Sequence, residues 1–199
     1  MRTLLIVLSG AFTLGGAIPY IIQIVRGKTK PRIVSWLTWS LLTGIACVAS
    51  FSDRQYATGI LMVFATLETL SVVILGLKHG DKHVERFDVV CQIAALIGIA
   101  LWLIFNSPAI AVIAAVSIDL IGALPTFKHA WHKPYEETAI TFALSAAGGL
   151  CTLLIVHSWQ ITAVAYPIYL VLVNFAQTSV ILARSKYVKP GLPPELREL

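Results

Sequence analysis

Two acidic residues stand where a charge is costly. Glu68 and Asp119 each fall near the middle of a long apolar run, and no Lys or Arg lies deep in any such run to pair with them. A carboxylate at the centre of a bilayer costs about 2.5–3.5 kcal/mol. Each acid must therefore face a wet cavity, bind a cation or hold a proton. The structural alternative is a neutral acid that hydrogen-bonds a neighbouring helix. Asn174 and Gln177 bring amide groups into the last apolar run, Ser71 stands a helical turn beyond Glu68, and Trp39 offers a ring able to stack on a sugar or heterocycle. These are the side chains of a clamp for a small polar solute. Trp36, a turn nearer the end of its run, suits a membrane-interface belt. His129 and His132 have the spacing of a metal pair but no third ligand near them in sequence, so a loop role is expected and no metal or cofactor is implied.

The elements that carry these residues are apolar and numerous. The chain has 199 residues, 57% hydrophobic and 13% charged, with a mean hydropathy of +0.82. A soluble domain carries about 25% charged residues, so the expected class is an all-α membrane protein. Seven spans are expected, over about 3–25, 33–51, 56–78, 88–105, 108–128, 137–157 and 160–184. Asp53-Arg54, Asn106-Ser107-Pro108 and His157-Ser158 read as turns, 129–136 as a polar loop, and 78–88 as a charged linker. The first run opens like a signal peptide but continues to Val25 and meets Arg26, Lys28, Lys30 and Arg32, which favours an uncleaved helix. With the N-terminus outside, thirteen of the fifteen Lys and Arg fall on the inner side, and only Arg2 and Arg54 on the outer. That bias fits a multi-pass protein of the cell (inner) membrane with a cytoplasmic C-terminus. It accounts for the net charge of +5 without a nucleic-acid partner. Cys47, Cys91 and Cys151 lie in apolar runs without CxxC spacing and read as packing residues.

The runs repeat. Gly16-Ala17-Ile18-Pro19 recurs as Gly122-Ala123-Leu124-Pro125, 106 positions later (122 minus 16). The same offset carries Ser35-Trp36 onto Thr141-Phe142, Glu68 onto Asn174 and Ser71 onto Gln177. The expected division is 1–78 as a first three-helix repeat, 79–106 as a linker loop and fourth helix, 107–184 as a second repeat and 185–199 as a tail. An odd helix between two three-helix copies gives both the same orientation, so the repeats should be parallel. Pro19 and Pro125, one inside the first helix of each copy, remove a backbone donor and suit hinges.

This three-plus-one-plus-three plan resembles the SWEET and PQ-loop superfamily of seven-span membrane carriers. The paired first-helix prolines, the polar residue in each third helix (Glu68 and Asn174) and the run Lys28-Thr29-Lys30-Pro31-Arg32-Ile33-Val34-Ser35 carry the resemblance across most of the chain. The Pro-Gln pair of the family reads Pro19-Tyr20 and Pro125-Thr126 here, and Glu68 stands where SWEETs place an Asn. The resemblance implies alternating-access, facilitative transport of a small solute, with sugar as the first expectation. Glu68, Asn174, Asp119, Trp39, Gln177 and Ser71 would bind the solute. A proton-coupled or cation-selective carrier, for an amino acid or nucleoside, is the alternative on the same fold; a non-transporting membrane receptor is another. The expected partners are the solute, the lipid bilayer, protons under the coupled reading, and a second copy of the chain if it oligomerises. No HExxH, GxSxG or P-loop motif is present, so an enzyme is not expected.

Overall fold

The computed structural model describes residues 2–52, 56–81, 83–104, 108–155, 159 and 161–188. Among the described residues the chain is all-helical. It forms α1 (Arg2–Val25), α2 (Ile33–Ser52), α3 (Tyr56–His79), α4 (Arg86–Ile104), α5 (Pro108–His132), α6 (Ala139–Ile155) and α7 (Ile161–Tyr187), with one 3₁₀ turn over Pro134–Glu136. These helices coincide with the seven expected runs at most ends. The expected turns at Asp53-Arg54, Asn106-Ser107 and His157-Ser158, and the tail from 189 onward, lie outside the described residues.

The expected polar loop 129–136 needs correcting. Helix α5 runs on to His132, because the Lys133 N–H donates to the His129 carbonyl at 2.7 Å and closes another turn. Pro134, which cannot donate, then starts the 3₁₀ turn. His129 and His132 are thus last-turn helix residues. At the other basic loop, α1 ends in a paired cap. The Lys28 N–H donates to the Gln23 carbonyl at 2.9 Å and the Gly27 N–H to the Ile24 carbonyl at 2.9 Å. Gly27 supplies the left-handed backbone this needs, with φ of 70°.

The helices fall into two compact units, Met1–Lys30 with Phe127–Leu199, and Pro31–Thr126. One division falls before Pro31 and the other directly beyond Pro125-Thr126. In the first unit α6 packs on both α1 and α7. Small residues permit the approach. A Cβ on Gly16 would lie 3.0 Å from the Thr141 carbonyl oxygen and 3.5 Å from Leu144 Cβ, and the Thr141 hydroxyl donates to the Gly16 carbonyl at 2.8 Å. Further along, the Ser9 hydroxyl donates to the Gly148 carbonyl at 3.0 Å and pairs with Thr152 at 2.8 Å.

In the second unit α2 packs on α3 and α4, and Thr38 Oγ1 donates to Gln92 Oε1 at 3.0 Å. Ala95, Ile99 and Ile118 form an apolar core joined by Leu42, Ile45, Ala114 and Ile121. Helix α5 reaches α2 at Gly122, where a Cβ would lie 2.8 Å from Thr38 Cγ2. This contact and that of Gly16 with Leu144 are related by the sequence offset: 122 is 16 plus 106, and 38 is 144 minus 106. The two units share one helix-packing contact at equivalent positions.

Large aliphatic and aromatic side chains point outward along the helices, among them Ile18, Val48, Ile74, Leu154 and Phe175, each at least 59% exposed. Small polar residues such as Thr29, Ser35, Thr38 and Thr141 are buried. Among the described residues, Val7–Val25 and Val164–Tyr187 are long and apolar enough to cross a membrane, while Ile33–Val48 and Ala139–Ile155 are shorter apolar helices.

Candidate functional site

Four of the expected solute-binding residues lie in the Pro31–Thr126 unit and two in the other. Glu68 is half-buried on α3. Ser71, a turn further on, donates its hydroxyl to its own helix, at the Leu67 carbonyl 2.6 Å away. Asp119 is buried on α5, a turn before the glycine that meets α2. Trp39 packs edge-on against Trp36, with centroids 5.0 Å apart and rings at 85°. Its indole Nε1 is buried, with no hydrogen-bond partner among the described residues. An indole N–H is a donor only, so Trp39 offers an aromatic face and one donor. The Thr38–Gly122 contact puts Trp39 and Asp119 on helices that touch.

In the other unit Asn174 donates its amide nitrogen to the Leu170 carbonyl at 2.9 Å, which keeps its amide oxygen as an acceptor. Gln177, a turn later, is 3% exposed. Pro19 and Pro125 lie inside α1 and α5, and Pro125 is fully buried. Trp36, expected at a lipid interface, is 5% exposed and belongs to the interior.

Sequence reasoning missed two polar clusters beside the α1–α2 connection. In the Pro31–Thr126 unit, Arg32 is buried and meets three carboxylates. Asp88 lies 2.5 Å from it, Asp81 3.4 Å and Glu85 3.8 Å. Asp88 is in the first turn of α4 and also accepts the Glu85 N–H at 2.8 Å, capping the helix. Arg32 also makes an isolated parallel bridge with Asp81 through the main chain. The start of α2 is thereby fastened to the start of α4.

In the other unit Lys30 donates to Glu136 Oε1 at 2.7 Å, and its backbone N–H donates to the Glu136 carbonyl at 2.7 Å. His129 Nε2 lies 3.4 Å and Lys133 Nζ 3.7 Å from the second Glu136 oxygen. Burial alone raises the Glu136 carboxyl; the side chains of His129 and Lys30 that reach it, with the charges of Lys133 and Lys30, outweigh burial and hold it at about 2. Beside this pair, Tyr20 is fully buried and donates its hydroxyl to Glu137 Oε2 at 2.9 Å, and the Thr29 and Thr138 hydroxyls bond each other. One sequence signal pointed here: Lys30 and Glu136 have opposite charges and are separated by the repeat offset, 136 minus 30 being 106.

Comparison with known proteins finds no family model, no curated relative and no solved structure that matches the chain.

Proposed function

We propose that the chain is a membrane-embedded carrier of a small polar solute, working by alternating access. It would be built as two parallel three-helix copies joined by α4, on the plan of the SWEET and PQ-loop superfamily. The observation that carries this reading is the repetition of one contact at the sequence offset. Gly16 meets Leu144 as Gly122 meets Thr38, and Lys30 pairs with its own equivalent, Glu136. Duplicated three-helix halves with paired prolines are a carrier architecture. The outward apolar side chains and inward polar ones support a bilayer as the surroundings. In this reading the N-terminus is outside and the C-terminus cytoplasmic. Glu68 and Asn174, equivalent residues of the two copies, bind solute. Asp119, Trp39, Gln177 and Ser71 assist, and Pro19 and Pro125 let their helices bend.

A sugar carried without ion coupling is the leading substrate class. Proton coupling is the second reading, favoured by carboxyl groups at Glu68 and Asp119 inside the helices. The test is uptake of labelled hexoses, disaccharides, amino acids and nucleosides into proteoliposomes, with and without an inward proton gradient. Uptake of one class regardless of the gradient is the expected result. Uptake that needs the gradient selects the coupled carrier. Binding of a panel solute without flux would select a receptor and overturn the carrier reading.

A further inference from the structure

The last turns of α5 and α7 meet in a patch that neither solute binding nor helix bending uses. The Arg184 guanidinium stacks over the Trp131 ring, 4.5 Å from its centroid. Arg184 Nε donates to the Trp131 carbonyl at 2.9 Å, and the Tyr135 hydroxyl donates to the Ser185 carbonyl. These bonds fix two exposed aromatic rings in one place, Trp131 at 48% and Tyr135 at 44% exposure; Tyr187, 72% exposed, stands a helical turn beyond Arg184. Exposed Lys186 brings a second cation to the same end of α7, two residues beyond Arg184. The two acids beside Tyr135 are engaged elsewhere, Glu136 with Lys30 and Glu137 with Tyr20.

Resting on the membrane reading above, we infer that this patch binds the phosphate headgroup of an anionic phospholipid of the cytoplasmic leaflet. Tryptophan and tyrosine rings with a polar end settle at headgroup depth. Arg184 and Lys186 then lie at the level of lipid phosphates. Each basic side chain there enriches anionic lipid by on the order of fivefold, the equivalent of about 1 kcal/mol. A planar guanidinium held against a ring is oriented for phosphate rather than merely attracted to it. The ring contact and the bond to the Trp131 carbonyl supply that orientation.

The test uses the full chain in nanodiscs and the fluorescence of Trp131, isolated as the difference between the wild type and Trp131→Phe. A small fraction of the lipid carries bromine on its acyl chains, as either phosphatidylglycerol or phosphatidylcholine. The expected result is several-fold stronger quenching of Trp131 by the brominated phosphatidylglycerol. Lys186→Gln, which leaves the Trp131–Arg184 stack in place, should reduce that excess, and Lys186→Arg should retain it. Equal quenching by the two lipids would overturn the headgroup assignment while leaving the membrane reading standing. Loss of the excess on adding inorganic phosphate would reassign the patch to a soluble anion. No quenching even in a fully brominated bilayer would overturn both this inference and the membrane reading.

Discussion

Arg32 shows what a charge count along a sequence hides. In the sequence it belongs to a basic run that reads as a flank of an apolar span; in the fold it is buried among Asp88, Asp81 and Glu85. Its charge is thus balanced locally by carboxylates rather than presented to the surroundings. Removing one member of a buried pair strands the other. Arg32→Met should therefore lower stability by about 3–5 kcal/mol, read from thermal unfolding in detergent, and the Arg32→Met/Asp88→Leu double variant should recover part of that loss. Glu136 gives a pH test. Its folded carboxyl sits at about 2 against an ordinary 4.5. Its contribution to stability is complete above about pH 4.5 and is lost as pH falls towards 2. Melting temperature should drop through that window in the wild type, and the drop should be smaller in Glu136→Gln.

Most of the helical structure is visible as long, nearly uncharged apolar runs, because charges and turn residues gather where the helices end. One misreading, at 129–136, has a physical source. Polar His129 and His132 look like loop residues, yet the backbone continues helical hydrogen bonding until Pro134 interrupts it. The repeat was also visible, but its structural meaning was not. Gly16 and Gly122 read as small residues that permit close approach; which partner they approach is a tertiary fact. Each meets α6 or α2 so closely that a larger side chain must displace a neighbour. Gly122→Val should cost about 1–3 kcal/mol, and Gly16→Val a similar amount, since the contact is equivalent. A large loss at one position with none at the other, measured by melting in detergent, would mean the two contacts are not equivalent.

For the whole molecule, the proposed clamp and the clusters found in the fold are different sets of residues. Under the carrier proposal Glu68, Asn174 and Trp39 would face the solute, whereas the Arg32 and Glu136 clusters tie the connections between helices. The clusters were hard to foresee because each joins residues far apart in sequence, and only Lys30 and Glu136 advertise their pairing through the repeat offset. If transport is proton-coupled, Glu68→Gln should remove the effect of the gradient on uptake while uncoupled binding persists; gradient-driven uptake retained in that variant would exclude Glu68 as the proton site. The measurement that bears most directly on alternating access is counterflow. Proteoliposomes are preloaded with the unlabelled solute that the uptake panel identifies, and labelled solute is added outside. A carrier whose site faces one side at a time should transiently accumulate label above its equilibrium level, faster than empty vesicles take it up, and Asn174→Ala should abolish this. Label that enters only to equilibrium, at a rate indifferent to preloading, would contradict the carrier.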